Sequence, residues 1–108
     1  MVQYFTTNEG AQRNRELIED VLRELAARDP GGVDYQVLMF DDEVGFMHIV
    51  AFDGTADPFA ECLAYREFHH ALAKRLAAPP VVTRATLIGS YHGQSHATAM
   101  SLDRWAPQ

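Results

Sequence analysis

The sequence predicts an α+β fold with the element order β-α-β-β-α-β. Two segments carry apolar residues at the spacing of an amphipathic helix, and four short runs have the composition and flanking turns of strands. The chain length of 108 residues fits one domain. With 47% hydrophobic and 22% charged residues, the composition is typical of a folded globular protein.

The first strand and the first helix lie in the opening quarter of the chain. Residues 2–7 form a β-rich run, and residues 7–10 contain turn formers that can cap a helix. Apolar side chains at residues 11–28 recur with a helical period, and charge pairs four residues apart occupy the other side. The segment Asp-Pro-Gly-Gly at 29–32 should end this helix.

The middle of the chain predicts a β-hairpin. Residues 34–40 and 45–53 have the composition of strands, and the acidic turn at 41–43 joins them. A helix should then start at Asp57-Pro58, because proline fits the first helical position, and run to about Ala77.

The closing segment predicts one more strand. Two prolines at 79–80 should end the second helix, and residues 81–91 should form the last strand. The domain is therefore expected at residues 1–92, followed by a C-terminal tail at 93–108. This order is the ferredoxin-like pattern of a four-stranded antiparallel sheet with both helices on one face.

The strand at 45–53 is apolar on both faces. One face carries Phe46, His48, Val50 and Phe52, and the other carries Met47, Ile49 and Ala51. Two helices cover only one face, and an open antiparallel sheet normally alternates apolar with polar residues. We therefore expect a homodimer through the sheet faces. Short strands are also often apolar throughout, and this alternative leaves a monomer open.

Four stretches carry a resemblance to a known family. They are QYFTTNEG, FMHIVAFD, LAYREF and APPVVTRATLIGSY. Together with the element order, they resemble the dimeric α/β-barrel superfamily and, within it, the antibiotic biosynthesis monooxygenase family. The resemblance implies a barrel made by two facing sheets, a pocket between sheet and helices in each subunit, and cofactor-independent oxygenation of aromatic or polyketide-like molecules.

Haem-degrading members of that superfamily provide a residue-level test. They carry an asparagine in the first strand, a tryptophan in the second helix and an axial histidine after the helix's phenylalanine. Here the first strand has no asparagine, the only tryptophan is Trp105 in the tail, and Leu72 stands where the histidine is expected after Phe68. A haem-binding relative with altered ligands therefore remains only a third hypothesis.

The second helix carries adjacent histidines that cannot face the same way. One stripe is formed by Cys62, Tyr65, His69, Leu72 and Leu76, spaced 3, 4, 3 and 4 residues apart. His69 is therefore predicted to face the sheet, and His70 to lie at the surface. A buried His69 could be a core residue bonded to a carbonyl or to Tyr65, a base in a pocket, or a metal ligand.

The remaining candidates lie on the hairpin and the last strand. His48 is a polar residue within an apolar strand, on a face that meets either the second helix or the barrel interior. Arg84 is either a surface residue or a clamp for an anion or enolate. The predicted catalytic residues are His69 as base, with Tyr65 or Arg84 as donor. The predicted pocket residues are His48, Phe52, Cys62, Leu72 and Tyr91.

Charge and motifs exclude several kinds of partner. The net charge of −6 and the lack of a Lys/Arg run oppose nucleic-acid binding. The longest uncharged apolar run, at 44–52, is far shorter than the roughly 20 residues of a membrane span. Cys62 is the only cysteine, and neither HxH nor HExxH spacing occurs, so we expect no metal and no cofactor.

The predicted function follows from the resemblance and these candidates. We expect a homodimer from the apolar sheet face. We expect it in the cytoplasm, because the N-terminus lacks the features of a signal peptide. It would bind a small aromatic ligand and oxygenate it as a cofactor-independent monooxygenase. The alternative is a non-catalytic binding or accessory protein on the same fold, in which His69 is structural.

Overall fold

The computed structural model describes residues 1–54, 57–91 and 93. These residues form four strands and three helices. In chain order they are β1 (Val2–Phe5), α1 (Ala11–Arg28), β2 (Val33–Met39), β3 (Gly45–Phe52), α2 (Leu63–His69), α3 (Leu72–Arg75) and β4 (Val81–Val82). The predicted tail lies outside the described residues except for Gly93.

The strands form a single antiparallel sheet in the order β2-β3-β1-β4. This confirms the predicted α+β class and element order, and the strand order is compatible with a ferredoxin-like fold. His48 lies at the centre of the sheet, because it pairs with Val2 on β1 and with Val37 on β2. Its side chain is therefore positioned between two neighbouring strands.

The hydrophobic core lies between one face of the sheet and the helices. Tyr4 and Phe46 supply the sheet side of this core, at 4% and 2% exposure. The helical side comes from Leu17, Ile18, Val21, Cys62 and Phe68, with Phe59 from the preceding turn. The face of β3 that carries Phe46 and His48 is thus the one that meets the helices, which decides between the two alternatives for His48.

The opposite face of the sheet carries a second set of apolar side chains. We call it the open face, and alternation along the strands assigns to it Phe5, Leu38, Met47, Ile49, Ala51 and Val81. Phe5 is 39% exposed and Val81 is 62% exposed. Register also places the polar Gln3, Asp34 and Gln36 of the neighbouring strands on this face. Strand β3 is therefore apolar on both sides, as the sequence predicts.

A carboxylate on α1 forms hydrogen bonds with the first turn of helix α2. The Glu24 side chain on α1 accepts hydrogen bonds from the backbone N–H groups of Leu63 and Ala64, each at 3.0 Å. These are N–H groups of the first turn of α2, which have no partner within the helix. The hydrogen bonds lower the pKa of Glu24, with the Ala64 N–H as the main cause.

The second helix differs from the single helix predicted to run to Ala77. Asp57 and Pro58 start a turn, in which the Asp57 carboxylate accepts from the Phe59 N–H at 2.9 Å, and α2 begins only at Leu63. The helix then breaks at Ala71, which has a left-handed φ of 62°. The break leaves carbonyl groups at the end of α2 that the side chain of Arg75 binds.

The last strand is much shorter than the predicted 81–91. Only Val81 and Val82 pair with β1, at Gln3 and Val2. Thr83 then exchanges hydrogen bonds with Met1, so the residues that follow lie beyond the last described partner in the ladder. Residues 84–91 are exposed, and the exposure of Ile88 reaches 100%.

In the part of the chain that the structure describes, no helix combines the length and the apolar character that crossing a bilayer requires.

Candidate functional site

A chain of five polar side chains runs through the core, and we call it the polar chain. In order, it consists of Tyr35 on β2, His48 on β3, Tyr4 on β1, Asn14 on α1 and Arg75 on α3. Strand alternation turns the three sheet residues toward the helices, where Asn14 bonds to Tyr4 and Arg75 bonds to Asn14. Five separate elements therefore contribute one polar residue each.

The centre of the polar chain is the imidazole of His48. Its Nδ1 lies 2.7 Å from the Tyr35 hydroxyl, and its Nε2 lies 2.7 Å from the Tyr4 hydroxyl. The Phe68 ring also packs against it, with ring centroids 5.4 Å apart. Both ring nitrogens of this histidine are thus bonded to phenols inside an aromatic core.

The other half of the polar chain leads to a buried cation. Asn14 Nδ2 donates to the Tyr4 hydroxyl at 3.0 Å, and Arg75 Nε donates to Asn14 Oδ1 at 3.1 Å. The remaining Arg75 nitrogens donate to the carbonyls of Phe68 and His70. Among the described residues no carboxylate pairs with Arg75, so its charge is stabilised by hydrogen-bond dipoles and by the Phe68 ring, whose centroid lies 5.3 Å from the guanidinium carbon.

Burial makes the hydrogen bonds of this chain necessary. Exposure is 0% for Asn14, 7% for Arg75 and 8% for His48. A buried polar group without a partner costs about 1–3 kcal/mol. Within the described residues, every buried side-chain nitrogen and oxygen has a hydrogen-bond partner.

Burial also determines the protonation states. It lowers the pKa of His48 to about 4, with a smaller contribution from the nearby His69, so this imidazole is neutral at pH 7. Burial raises the pKa of Tyr4 to about 12 and raises the pKa of Tyr35 as well. Both phenols are therefore protonated at neutral pH and can donate or accept hydrogen bonds.

An aromatic row extends from the Tyr35 end of the polar chain to the surface. We use this name for Tyr35, Phe59, Tyr65 and His69. Tyr35 meets Phe59 edge to face at 5.3 Å, Phe59 stacks on Tyr65 at 4.4 Å, and Tyr65 meets His69 edge to face at 4.5 Å. The row ends at an exposed imidazole.

The prediction that His69 faces inward is wrong. His69 is exposed, whereas the preceding Phe68 is only 4% exposed and occupies the inward position of α2. The larger apolar ring gains more from burial than an imidazole does. Partial desolvation and then the charge of Arg75 lower the pKa of His69, so its ring is neutral at pH 7.

The structure separates the other predicted site residues. His48 and Cys62 are buried, Tyr65 and Leu72 are half-buried, and Phe52, Arg84 and Tyr91 are exposed. Tyr65 contacts His69 directly, whereas no hydrogen bond or ion pair within the described residues joins Arg84 to either of them. His48 and His69 are not bonded to each other, and the Phe68 ring contacts both.

A surface cleft of about 710 Å³ lies at the far end of the hairpin. Its lining includes Phe52 and Asp53 of the sheet side and Arg28, Asp57 and Glu61 of the helical side. Arg28 and Glu61 form an ion pair in this lining at 2.8 Å. Of the predicted site residues, the cleft lining contains Phe52 but neither histidine.

The described residues contain no group of three or more His, Cys, Asp or Glu side chains placed to hold a metal ion.

Of the polar chain, only His48 was among the predicted site residues. Asn14 lies one turn before Leu17 and Ile18, at an inward position of α1, and a polar residue at such a position is a usable signal. Arg75 gave no comparable signal, because its role depends on the break at Ala71. Sequence distance adds to the difficulty, since Asn14 and Arg75 are 61 residues apart.

Comparisons with protein-family models, with curated proteins and with solved structures found no match to this chain.

Proposed function

We propose that the protein is a homodimer that binds a flat aromatic or polyketide-like small molecule and oxygenates it without a cofactor. The observation that supports this most is the outer end of the aromatic row. There a neutral, exposed imidazole, His69, lies against the phenol of Tyr65 at 4.5 Å between ring centroids. A base and a hydroxyl donor are thus adjacent on a surface of aromatic rings.

The protonation states of this pair suit proton abstraction. The pKa of His69 is lowered, so the ring is free to accept a proton at pH 7. Burial raises the pKa of Tyr65, so its hydroxyl keeps the hydrogen that it would donate to a substrate oxygen. General acid and base groups work best when their protonation states match their roles at the working pH.

The proposed reaction needs only the substrate and O₂. His69 would remove a proton from an activated CH₂ group, and the resulting carbanion would reduce O₂ by one electron. Recombination would form a carbon–oxygen bond, and loss of water would leave a carbonyl group. One oxygen atom enters the product, and the other leaves as water with the two hydrogens of the CH₂ group.

The homodimer is supported by the open face. Its apolar side chains include Phe5 and Val81, both exposed, beside the partly exposed Met47 and Ile49. Apolar area removed from water contributes about 25 cal/mol per Å². A second copy applied face to face would cover these residues and close the two sheets into a barrel.

Oxygen uptake tests the proposed activity. Purified protein would be mixed with anthrone in a closed cell with an oxygen electrode, beside the His69→Ala and His70→Ala variants. We expect uptake with the wild type and with His70→Ala, whose exposed neighbouring histidine is a matched control. His69→Ala should lose about 10²–10⁴-fold, the usual contribution of general acid–base catalysis. Equal rates for the two variants would contradict the role of His69.

A non-catalytic binding protein is the second candidate, in which His48 and His69 both have structural roles only. His48, the most buried histidine of the residues that the structure describes, has both ring nitrogens bonded and a pKa of about 4, which suits a structural group. In that case the aromatic row would bind a ligand without turnover. Saturable anthrone binding without oxygen uptake would support this candidate over the oxygenase.

A further inference from the structure

The hydrogen bonds of the polar chain share one donor-to-acceptor direction, and Arg75 determines that direction. A guanidinium group can only donate hydrogen bonds, so the Asn14 atom that faces it must be the carbonyl oxygen. The amide nitrogen of Asn14 then faces Tyr4, and it must donate to the Tyr4 oxygen. The orientation of this buried amide is thereby fixed by chemistry.

The direction continues through Tyr4. Its oxygen accepts from Asn14, and its other contact is His48 Nε2. If Nε2 carries no hydrogen, the Tyr4 O–H donates to it and Tyr4 is fully bonded. If Nε2 is protonated, the Tyr4 O–H has no remaining acceptor among the described residues, at a position only 4% exposed.

The last step passes from His48 to Tyr35. A neutral imidazole carries one N–H, so an unprotonated Nε2 places the hydrogen on Nδ1, which then donates to the Tyr35 oxygen. One hydroxyl hydrogen remains without an acceptor in the described part of the chain. The other tautomer would leave this hydrogen at Tyr4, which is 4% exposed, whereas Tyr35 is partly exposed.

We propose that Arg75 polarises the whole chain, so that His48 is held as the Nδ1–H tautomer and the Tyr35 hydroxyl donates to a carbonyl or phenolate oxygen of a bound ligand. The role of the ligand rests on the proposed function, whereas the tautomer does not. Tyr35 begins the aromatic row, so a flat ligand lying against the partly exposed Tyr65 would bring its oxygen toward this hydroxyl. The site would therefore select aromatic molecules that carry an oxygen acceptor.

The variant Asn14→Asp reverses the direction without changing the shape. An aspartate accepts from both sides, so it pairs with Arg75 and takes the hydrogen of the Tyr4 hydroxyl. Tyr4 must then accept from His48 Nε2–H, and Nδ1 must accept from the Tyr35 O–H. The tautomer of His48 flips, and Tyr35 loses its free hydrogen.

Nitrogen NMR of the imidazole measures the tautomer directly. In ¹⁵N-labelled protein at pH 7, with His48 assigned by through-bond correlation, we expect the protonated nitrogen to be Nδ1. In Asn14→Asp it should be Nε2, and in Asn8→Asp, an exposed charge control, it should remain Nδ1. A wild-type protein with Nε2–H overturns the polarity even if no variant folds. An unchanged tautomer in folded Asn14→Asp also overturns it.

Binding of 4-nitrophenolate, with nitrobenzene as the uncharged comparison, tests the ligand role. Tyr35→Phe and Asn14→Asp should each weaken 4-nitrophenolate binding by about tenfold, the loss expected for one hydrogen bond to a charged group. Nitrobenzene binding should change little, and Asn8→Asp, at an exposed position, should behave as the wild type. Equal 4-nitrophenolate affinity in Tyr35→Phe, or no binding to the wild type, overturns the donor role. If only the oxygen-uptake experiment fails, the proposed oxygenase is overturned, whereas the tautomer and ligand-binding results still stand.

Discussion

The two faces of β3 show how one strand can meet two different environments. On the helix-facing side, Phe46 is 2% exposed and His48 is bonded at both ring nitrogens. On the open face, Met47, Ile49 and Ala51 are apolar and carry no polar chain. Under the helices, the polar side chain of His48 is accommodated because both of its ring nitrogens have hydrogen-bond partners. The β3 part of the open face is apolar like a buried surface, and the proposed dimer would supply its cover.

A charge on the open face should have the largest effect. Ile49→Asp would place an unpaired carboxylate between the two sheets of the proposed dimer, at a cost of several kcal/mol or more. We expect sedimentation at micromolar concentration to show loss of the dimer, with loss of folding if the monomer is unstable alone. Asn8→Asp, exposed before α1, is the control and should remain dimeric. A folded wild-type monomer of 12.1 kDa under the same conditions would contradict the dimer itself.

A cavity on the helix-facing side should have the second largest effect on stability. Phe46→Ala removes a ring that is 2% exposed and stacked on Tyr4 at 5.7 Å, and it should lower the free energy of unfolding by about 3–5 kcal/mol. Urea denaturation followed by circular dichroism measures this loss. A change below about 1 kcal/mol would show that this face is packed less tightly than its burial indicates.

Lowering the pH should reduce the free energy of unfolding, because His48 on the helix-facing side resists protonation in the fold. Its pKa is about 4 in the fold and 6.5 when unperturbed, so the unfolded chain binds the extra proton first as the pH falls. This contribution to stability is complete above pH 6.5 and is lost progressively down to pH 4. The span corresponds to about 3 kcal/mol, at 1.36 kcal/mol per pH unit. Urea titrations from pH 7 to 4 should follow this curve, and His48→Gln should flatten it if the variant folds.

The segment after β4 should show the smallest effect. Leu87 is 72% exposed, so Leu87→Ser should change the free energy of unfolding by no more than about 0.5 kcal/mol. Thermal unfolding at dilute and at high protein concentration would measure it. A larger loss confined to high concentration would assign residues 84–91 to a contact between copies.

The sequence allowed the element order and the two-sided apolar strand to be predicted, because both depend on local periodicity. It did not reveal the break at Ala71, since an alanine at a φ of 62° has no compositional signal. The stripe through His69 assumed that spacing alone selects the inward side chain, whereas Phe68, one position earlier, is the residue that is buried.

The polar chain was harder to predict because its contacts are long-range. His48 was recognised as a polar residue in an apolar strand, but its partnership with Tyr4 spans 44 residues. Which hydroxyl meets which ring nitrogen depends on strand register, and register is a property of the assembled sheet. For the same reason the direction of the chain became readable only when Arg75 and Asn14 were seen together.

The Glu24 carboxylate has a consequence for how the molecule assembles. Helix α2 contains seven residues, too few to be stable in water by itself, where about 12–15 are needed even for favourable sequences. The backbone N–H groups of its first turn, at Leu63 and Ala64, donate hydrogen bonds to the Glu24 side chain of α1. The 18-residue α1 can therefore form early and act as a template on which α2 nucleates. Amide hydrogens of α2 should exchange with solvent no more slowly than those of α1, because α2 opens whenever the helix that nucleates it opens.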